Sequence, residues 1–148
     1  MTDVIDTIKR RILNQYAESV VEFEIYMSQR RALISIGFDE TMTAWCVSSN
    51  NRFAFSRVIT LAAFQKKPMR KAAISKMVGC SFQSVVTMID DAIQLGYAIE
   101  EPKGYFQASK HMVEGCLHYV QKRHQLISSS LIKNAQIWDN FNEIYQAS

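Results

Sequence analysis

The sequence predicts a mainly α-helical protein with one small β-hairpin, and three observations support this fold class. Glycine (5) and proline (2) are scarce in the 148 residues, which leaves few helix breakers. Apolar residues recur at steps of three and four along most of the chain, the spacing of one helical face. Two short β-prone stretches, 97–100 and 105–108, lie on either side of a turn. The chain is long enough to bury a full core as one domain, residues 1–148.

The N-terminal third is predicted to be helical. From Asp3 an apolar stripe continues without a breaker until Gly37, so the first helix should extend over about 30 residues. A small monomer cannot bury a stripe of this length, so a partner is expected. A short helix should begin at Asp39, whose acidic group suits the positive end of the helix dipole. After the polar junction 48–51, a third helix is closed by Pro68.

Two short helices are predicted to follow. The first covers residues 70–78 and ends at Gly79. The second begins after Ser81, a good N-cap, and ends where Gly96 supplies a left-handed C-cap. Because the two helices are separated by only a few residues, they are expected to pack directly on each other.

The C-terminal part is predicted to contain the hairpin and a helical tail. Residues 101–104 read Glu-Pro-Lys-Gly and form the turn between the two β-prone stretches. Ser109 caps a final helical region. The three serines 128–130 predict a break, which leaves 131–145 as a separate last helix.

Residues 74–88 predict a helix-turn-helix. Two short helices at a steep angle need a small residue where they touch, here Ser75, and a turn residue that tolerates positive φ, here Gly79. They also need inward apolar residues on both sides of the turn, which are Ile74, Val78, Cys80, Val85 and Met88. Helix, tight turn, helix and hairpin in this order are the layout of a winged helix-turn-helix.

Charge is segregated along the chain. The net charge is only +3, yet no acidic residue lies between Glu40 and Asp90. The same stretch carries Arg52, Arg57, Lys66, Lys67, Arg70, Lys71 and Lys76. Unopposed cations favour a polyanionic partner, because each neutralised phosphate releases condensed counterions. The alternative is a solvated basic face without a partner.

Polar residues of the second short helix point away from its inward set and are predicted to contact DNA: Ser81, Phe82, Gln83, Ser84 and Thr87. Gln83 can pair in bidentate fashion with adenine, the hydroxyls suit base edges or phosphate oxygens, and Phe82 suits a thymine methyl. The helix has no arginine, which favours an A·T-leaning site. The alternative is an exposed polar face with Phe82 buried against a neighbouring helix.

Cations on the first short helix are predicted to hold phosphates, because this helix crosses the DNA backbone in the motif: Arg70, Lys71 and Lys76. Lys103, at the hairpin tip, is a further candidate. Arg52 and Arg57 are expected to pair with acids of the long helices instead. Asp90 and Asp91 are expected to lie away from the groove and to pair with cations.

The stretch 57–114 resembles the multiple-antibiotic-resistance regulator (MarR) family of winged-helix transcription factors, most clearly in 74–88 and in 91–100, which looks like the exit from the recognition helix into the wing. The resemblance implies long N- and C-terminal dimerisation helices, at 1–36 and 111–148, around a DNA-binding core at 51–110. It implies an obligate homodimer that reads a pseudo-palindromic operator in double-stranded DNA, with one recognition helix in the major groove of each half-site.

The hairpin departs from the wing of the family in one respect. The family's wing usually carries an Asp-x-Arg element, whereas residues 100–104 read Glu-Glu-Pro-Lys-Gly. The family's small-molecule effectors bind between the dimer helices and the winged domain. Residues that could line such a pocket, or that form plain core instead, are Tyr16, Tyr26, Met42, Trp45 and Phe55.

Enzymatic, metal and membrane functions are not expected. No nucleophile with a base, paired carboxylates or Gly-rich phosphate loop predicts a catalytic residue or a cofactor. Cys46, Cys80 and Cys116 form no CxxC pair and are expected to be reduced, and the histidines lack metal-ligand spacing. Without an apolar run of roughly 20 residues or a signal core, a cytoplasmic location is expected. The sequence thus predicts a DNA-binding transcriptional regulator; the alternative is a winged-helix protein-interaction module that does not bind DNA.

Overall fold

The structure is a computed structural model that describes residues 2–34 and 38–146. In this part of the chain the elements follow in the order α1 (Thr2–Ile34), α2 (Glu40–Val47), α3 (Asn50–Gln65), α4 (Lys71–Val78), α5 (Phe82–Gln94), β1 (Ala98–Glu100), β2 (Phe106–Ala108) and α6 (Lys110–Gln146). The prediction of a mainly helical fold with one small hairpin is confirmed. The chain divides into two compact units: a helical pair (Met1–Leu33 with Lys122–Ser148) and a central unit (Ile34–Gln121).

The helical pair consists of α1 and the C-terminal part of α6. Tyr16 stacks on Phe141 with ring centroids 4.1 Å apart, and Phe23 meets Trp138 edge-on at 6.1 Å. The residue numbers of the partners change in opposite directions, so the two segments are antiparallel. The predicted long first helix is confirmed, with 33 residues.

A polar pair is buried inside the helical pair. The Ser19 hydroxyl donates to Asn134 Oδ1 at 2.6 Å, and both side chains are buried. Each group satisfies the other, which offsets the cost of removing both from water. A pair of this kind favours one register of the two helices, because any slip would separate the two groups.

The C-terminal helix differs from its prediction. Residues 110–146 form one helix of 37 residues, so the predicted break at the serines 128–130 is wrong. A serine lowers helix propensity by only about 0.5 kcal/mol relative to alanine. The buried contacts that Asn134 and Phe141 make with α1 outweigh this local preference.

The core of the central unit lies between α3, α4, α5 and the hairpin. The largest fully buried side chains of this unit are Phe55, Ile59, Ile74, Val85 and Ile89. Burial of each contributes about 1.5–3 kcal/mol relative to exposure. The core thus holds α4 and α5 against α3 and leaves their outer faces available.

Side-chain caps begin the helices of the central unit where the sequence predicted them. Asp39, Ser81 and Ser109 each accept from the backbone N–H three residues later, at 3.0, 3.1 and 3.2 Å. Ser49 caps α3 in the same way at 3.1 Å. Lys66 ends α3 in the left-handed region at φ 56°.

The hairpin is extended by a third backbone segment, which pairs with β2 on the side away from β1. β1 and β2 pair antiparallel, with Ala98 opposite Ala108. Met69, which precedes α4, forms a bridge to Phe106 through two backbone hydrogen bonds of 2.9 and 2.8 Å. The segment that enters α4 is therefore fixed to the outer edge of β2.

None of the described helices is by itself long and apolar enough to cross a bilayer. Taken together, α4 and α5 have the required composition, but the pair is bent by 110°.

Candidate nucleic-acid interface

The junction of α4 and α5 has helix-turn-helix geometry. The two helices are bent by 110° across a three-residue turn, within the 90–120° that this motif uses. Gly79 has φ 79°, as its position predicted. The Ser75 hydroxyl donates to the Cys80 carbonyl at 2.6 Å, and the Ser75 carbonyl accepts from Gly79 N at 2.9 Å. Ser75 therefore holds the turn as well as providing a small contact residue.

The residues predicted to face inward from both helices do so. Ile74 and Val85 have no exposed surface, and Met88 is buried. Val78 and Cys80 are half-buried and pack against the same cluster. This core fixes the rotation of α5 about its axis and so determines which of its residues face outward.

The outward face of α5 carries polar side chains at helical spacing. Gln83, Thr87, Asp90 and Gln94 are exposed and are separated by four, three and four residues, so they share one face. The Thr87 hydroxyl donates to the Gln83 carbonyl at 3.2 Å. Of the residues predicted to read bases, Gln83 and Thr87 are thus presented together.

The first turn of α5 has both a structural and an exposed part. Ser81 Oγ accepts from Ser84 N at 3.1 Å and lies 2.8 Å from Ser84 Oγ, so both hydroxyls take part in capping. Phe82 is 53% exposed. The alternative in which Phe82 is buried against a neighbouring helix is therefore wrong.

An open groove lies between the start of α4, the start of α5 and the hairpin, and we call it the hairpin groove. Its lining combines three of the predicted cations with aromatic and small residues: Arg70, Lys71, Ala72, Phe82, Glu100, Lys103, Gly104, Tyr105 and Phe106. The structure thus brings together Arg70, Lys71, Phe82 and Lys103, which come from three separate parts of the sequence.

Two aromatic residues of the hairpin hold cations in the groove. Arg70 is the N-cap residue of α4, and its Nε donates to the Tyr105 hydroxyl at 2.9 Å. Its guanidinium also lies 5.0 Å from the centroid of the Tyr105 ring. Lys71 Nζ lies 5.5 Å from the centroid of the Phe106 ring. Aromatic faces attract cations without cancelling their charge, so both remain available to an anion.

Sequence reasoning missed Tyr105 and Phe106 as site residues. Their contacts with Arg70 and Lys71 cross about 35 residues of sequence, and no local pattern indicates such a pairing. The Met69–Phe106 bridge brings the two segments together. A cluster of aromatic residues next to a predicted turn was the available signal.

The hairpin groove also contains one carboxylate. Glu100 Oε2 accepts from the Gly104 backbone N–H at 2.8 Å, so the acid is directed into the hairpin turn. Glu100 and Lys103 thus line the same groove.

Lys76 lies apart from the hairpin groove. It is exposed in the last turn of α4, where a cation is also favoured by the helix dipole. It remains a candidate phosphate contact outside the groove, with a structural role that does not require DNA.

The arginines of α3 do not pair as the sequence predicted. Arg52 pairs with Asp91 of α5 at 3.6 Å, with both side chains about one-third exposed, and it also lies over the Trp45 ring. The expected acid partner on a long helix is wrong, because Asp91 of α5 lies beside Arg52. The expectation that Asp91 pairs with a cation is confirmed.

Arg57 has aromatic and sulfur neighbours instead of a carboxylate. Its guanidinium lies 5.2 Å from the Phe53 ring centroid and 5.6 Å from the Tyr119 ring centroid. Its Nη1 donates to Cys116 Sγ at 3.5 Å. None of the three ion pairs formed by residues that the structure describes includes Arg57, so its predicted pairing is wrong.

A small cavity lies inside the central unit, and we call it the α3–α6 cavity. It is lined by Phe38, Met42, Thr43, Cys46, Ser56, Arg57, Thr60, Met112, Gly115, Cys116, His118 and Tyr119. Burial raises the pKa of the Cys46 thiol, although Ser56 and Arg57 act in the opposite direction. Cys46, Cys80 and Cys116 are free and half-buried.

Most of the residues predicted to line an effector pocket lie elsewhere. Only Met42 lines the α3–α6 cavity. Phe55 is fully buried, and Trp45 packs edge-on against it with centroids 6.2 Å apart. Tyr16 stacks on Phe141 in the helical pair. The side chain of Tyr26 lies outside the described residues.

No family model, no curated protein and no solved structure matches this chain. Among the described side chains, no group of three or more His, Cys, Asp or Glu residues could hold a metal ion.

Proposed function

We propose that this protein is a double-stranded-DNA-binding transcriptional regulator of the winged helix-turn-helix class. The observation that supports this most directly is the hairpin groove, where Arg70, Lys71 and Lys103 converge beside the start of α5. Cations presented beside a polar, exposed helix are the combination that positions a recognition helix on phosphates. The acid-free stretch of the sequence supplies Arg70 and Lys71, and the hairpin adds Lys103.

In this proposal the N-terminal half of α5 enters the major groove. Gln83 and Thr87 face the base edges, where a glutamine amide pairs with adenine and a threonine accepts several partners. Ser81 and Ser84 keep α5 capped, and their remaining acceptor and donor capacity lies next to the backbone phosphates. Phe82 is exposed at the rim and packs on a thymine methyl.

Asp90 limits how α5 can dock. It shares the exposed face with Gln83 and lies seven residues further along the helix, or about 10 Å at 1.5 Å per residue. A carboxylate on this face is repelled by phosphates. The DNA must therefore approach the first two turns of α5, at the end next to Arg70 and Lys71.

A homodimer completes the proposal. Val4, Ile5 and Ile8 of α1 are 62%, 53% and 46% exposed, so part of the apolar stripe is available to a second copy. Two copies would place two α5 helices on half-sites about 34 Å apart, one turn of DNA. This arrangement is the one that the resemblance to the MarR family implies, and the α3–α6 cavity offers a place for an effector.

A protein-interaction module without DNA binding is the second candidate. Phe82 and Met77 are 53% and 56% exposed, which suits an apolar partner surface. Glu100 places a negative charge in the hairpin groove, which opposes phosphate binding. These features favour a protein ligand over DNA if the cations are only solvated.

Salt-dependent binding to a random-sequence duplex discriminates between the two. The full chain is titrated into a fluorescently labelled duplex, and anisotropy is followed as salt rises from about 50 to about 200 mM. DNA binding through phosphates predicts measurable affinity at low salt and a loss of about 10³-fold or more over this range. Negligible affinity at low salt, or affinity that salt hardly changes, would overturn the DNA proposal and leave the interaction module.

A further inference from the structure

Two buried nitrogen atoms on the wall of the α3–α6 cavity have no hydrogen-bond partner among the described residues. These are Arg57 Nε and His118 Nε2, and both residues line the cavity. Most buried polar atoms in native proteins are paired with protein groups or with ordered water. Two unpaired nitrogen atoms on one small cavity therefore indicate a ligand that accepts hydrogen bonds.

The charge around the cavity selects an anion. Arg57 is always protonated, and its contacts are two aromatic rings and Cys116 Sγ rather than a carboxylate. Asp39 is already engaged, because its Oδ2 lies 2.7 Å from His111 Nε2 and its Oδ1 accepts from Met42 N at 3.0 Å. Arg57 is half-buried and its Nε atom is buried, so an anion in the cavity would pair a guanidinium that lacks a carboxylate partner among the described residues.

Two hydroxyl groups of the cavity wall already donate to backbone carbonyls. The Ser56 hydroxyl donates to the Phe53 carbonyl at 2.8 Å, and the Thr60 hydroxyl donates to the Ser56 carbonyl at 2.6 Å. Their hydrogen atoms are thus already used. The remaining walls include Met112, whose side chain is apolar.

The cavity has room for a small ligand. About 50 Å³ is open to the centres of water molecules, which is more than a single water needs. This space admits a compact ion such as formate, acetate, nitrate or phosphate.

We propose that the α3–α6 cavity binds a small oxyanion, through Arg57 Nε–H and through His118 with its proton on Nε2. The shared chemistry is a compact, negatively charged group with at least two acceptor oxygens. The proposal does not depend on DNA binding, because every group in it lies in the central unit and the ligand is titrated without DNA.

Titration of the full chain with four anions tests the proposal: formate, acetate, nitrate and phosphate, at constant ionic strength with chloride as the balancing ion. The Arg57 Nε–H cross-peak in a ¹⁵N–¹H correlation spectrum reports on the site directly. At least one of the four small anions is expected to shift this peak saturably. Formate and acetate against nitrate and phosphate distinguish a carboxylate ligand from an inorganic one.

Matched variants separate the two donors from general charge. Arg57→Gln lacks this cross-peak, so its affinity is measured by titration calorimetry; it is expected to bind about tenfold to hundredfold more weakly, as loss of a hydrogen bond from a charged group predicts. Arg52→Gln removes the same charge from the same helix, but its partner is Asp91, so it should bind normally. His118→Gln keeps a donor near the Nε2 position and should bind more tightly than His118→Leu.

Gly115→Ala tests the cavity without altering either donor. A Cβ at this position would lie 2.6 Å from Met42 Cε, so the Met42 side chain must shift within the cavity wall. Alanine is the better helix former, so α6 keeps its stability. The variant is expected to bind the anion at least about tenfold more weakly than the wild type, and this result is available even if Arg57→Gln fails to fold.

Two results would overturn the proposal. The first is no saturable shift of the Arg57 peak with any of the four small anions. The second is wild-type affinity in a folded Arg57→Gln protein or in Gly115→Ala.

Discussion

The salt dependence of DNA binding by Lys71→Ala is a quantitative test of the hairpin groove. Four cations per chain are placed to meet phosphates: Arg70, Lys71, Lys76 and Lys103. In a homodimer this gives eight, and the slope of log affinity against log salt should be about −0.9 × 8, or about −7. Lys71→Ala removes two charges per dimer and should reduce the slope to about −5.4.

The consequence for affinity follows from this change in slope. Between about 50 and about 200 mM salt, the wild type should lose about 10⁴-fold and the variant only about 10³-fold. The advantage of the wild type over Lys71→Ala should therefore shrink about tenfold across that range. Fluorescence anisotropy at four or five salt concentrations is sufficient to measure both slopes.

Lys110→Ala is the matched control for this experiment. Lys110 is exposed and lines a different groove, with Lys66, Pro68 and Gln107. It should leave the slope at the wild-type value. An unchanged slope in Lys71→Ala, or an equal decrease in Lys110→Ala, would refute the assignment of the hairpin groove to phosphates. A decrease of about 0.9 instead of about 1.8 would indicate that one chain binds alone.

Three further predictions concern α5, the turn and an acid-sensitive pair. Gln83→Ala should change base preference in fragments selected from a random DNA pool, with the wild-type salt slope retained; a lower slope with unchanged preference would contradict base reading. Gly79→Ala should lower the free energy of unfolding by about 1 kcal/mol in urea titration, because φ is 79° and no atom lies within 4 Å of the new Cβ, so only backbone strain acts. Lys66→Gly, which relieves strain at φ 56°, should not destabilise the protein. The hydrogen bond with His111, and after it the one from the Met42 N–H, lowers the pKa of Asp39 below its ordinary 3.8. The ionised Asp39 therefore stabilises the folded state above pH 3.8, and this contribution is lost as pH falls through the lower folded pKa. The acid dependence of the urea midpoint should therefore be weaker in Asp39→Asn, and an unchanged dependence would contradict the pair.

The helices α4 and α5 and the turn between them could be predicted closely from the sequence because their determinants are local. The spacing of apolar residues along each helix, including Ile74, Val85 and Met88, determines which face of that helix is buried. Gly79 and Ser81 determine where one helix ends and the next begins. Each of these signals acts within a few residues of its effect, which is the range over which spacing and capping rules apply.

The features that could not be predicted depend on contacts distant in sequence. Tyr105 meets Arg70 only because the hairpin register and the Met69 bridge place it there. Charge pattern alone predicted an acid partner for Arg57, whereas packing of α6 on α3 supplied Cys116 instead. The continuity of α6 likewise follows from packing on α1, which overrides the weak preference of a serine run.

The backbone bridge between Met69 and Phe106 has a consequence for native-state hydrogen exchange. The Phe106 amide donates to Met69 and the Met69 amide donates to Phe106, so neither can exchange until the α4 entry segment and β2 separate. Both amides should therefore exchange through one shared opening, with equal free energies, as members of a single cooperative unit. A ligand that spans Arg70 and Lys103 would slow exchange of both amides to the same extent. The protection of either amide would therefore report whether the hairpin groove is occupied.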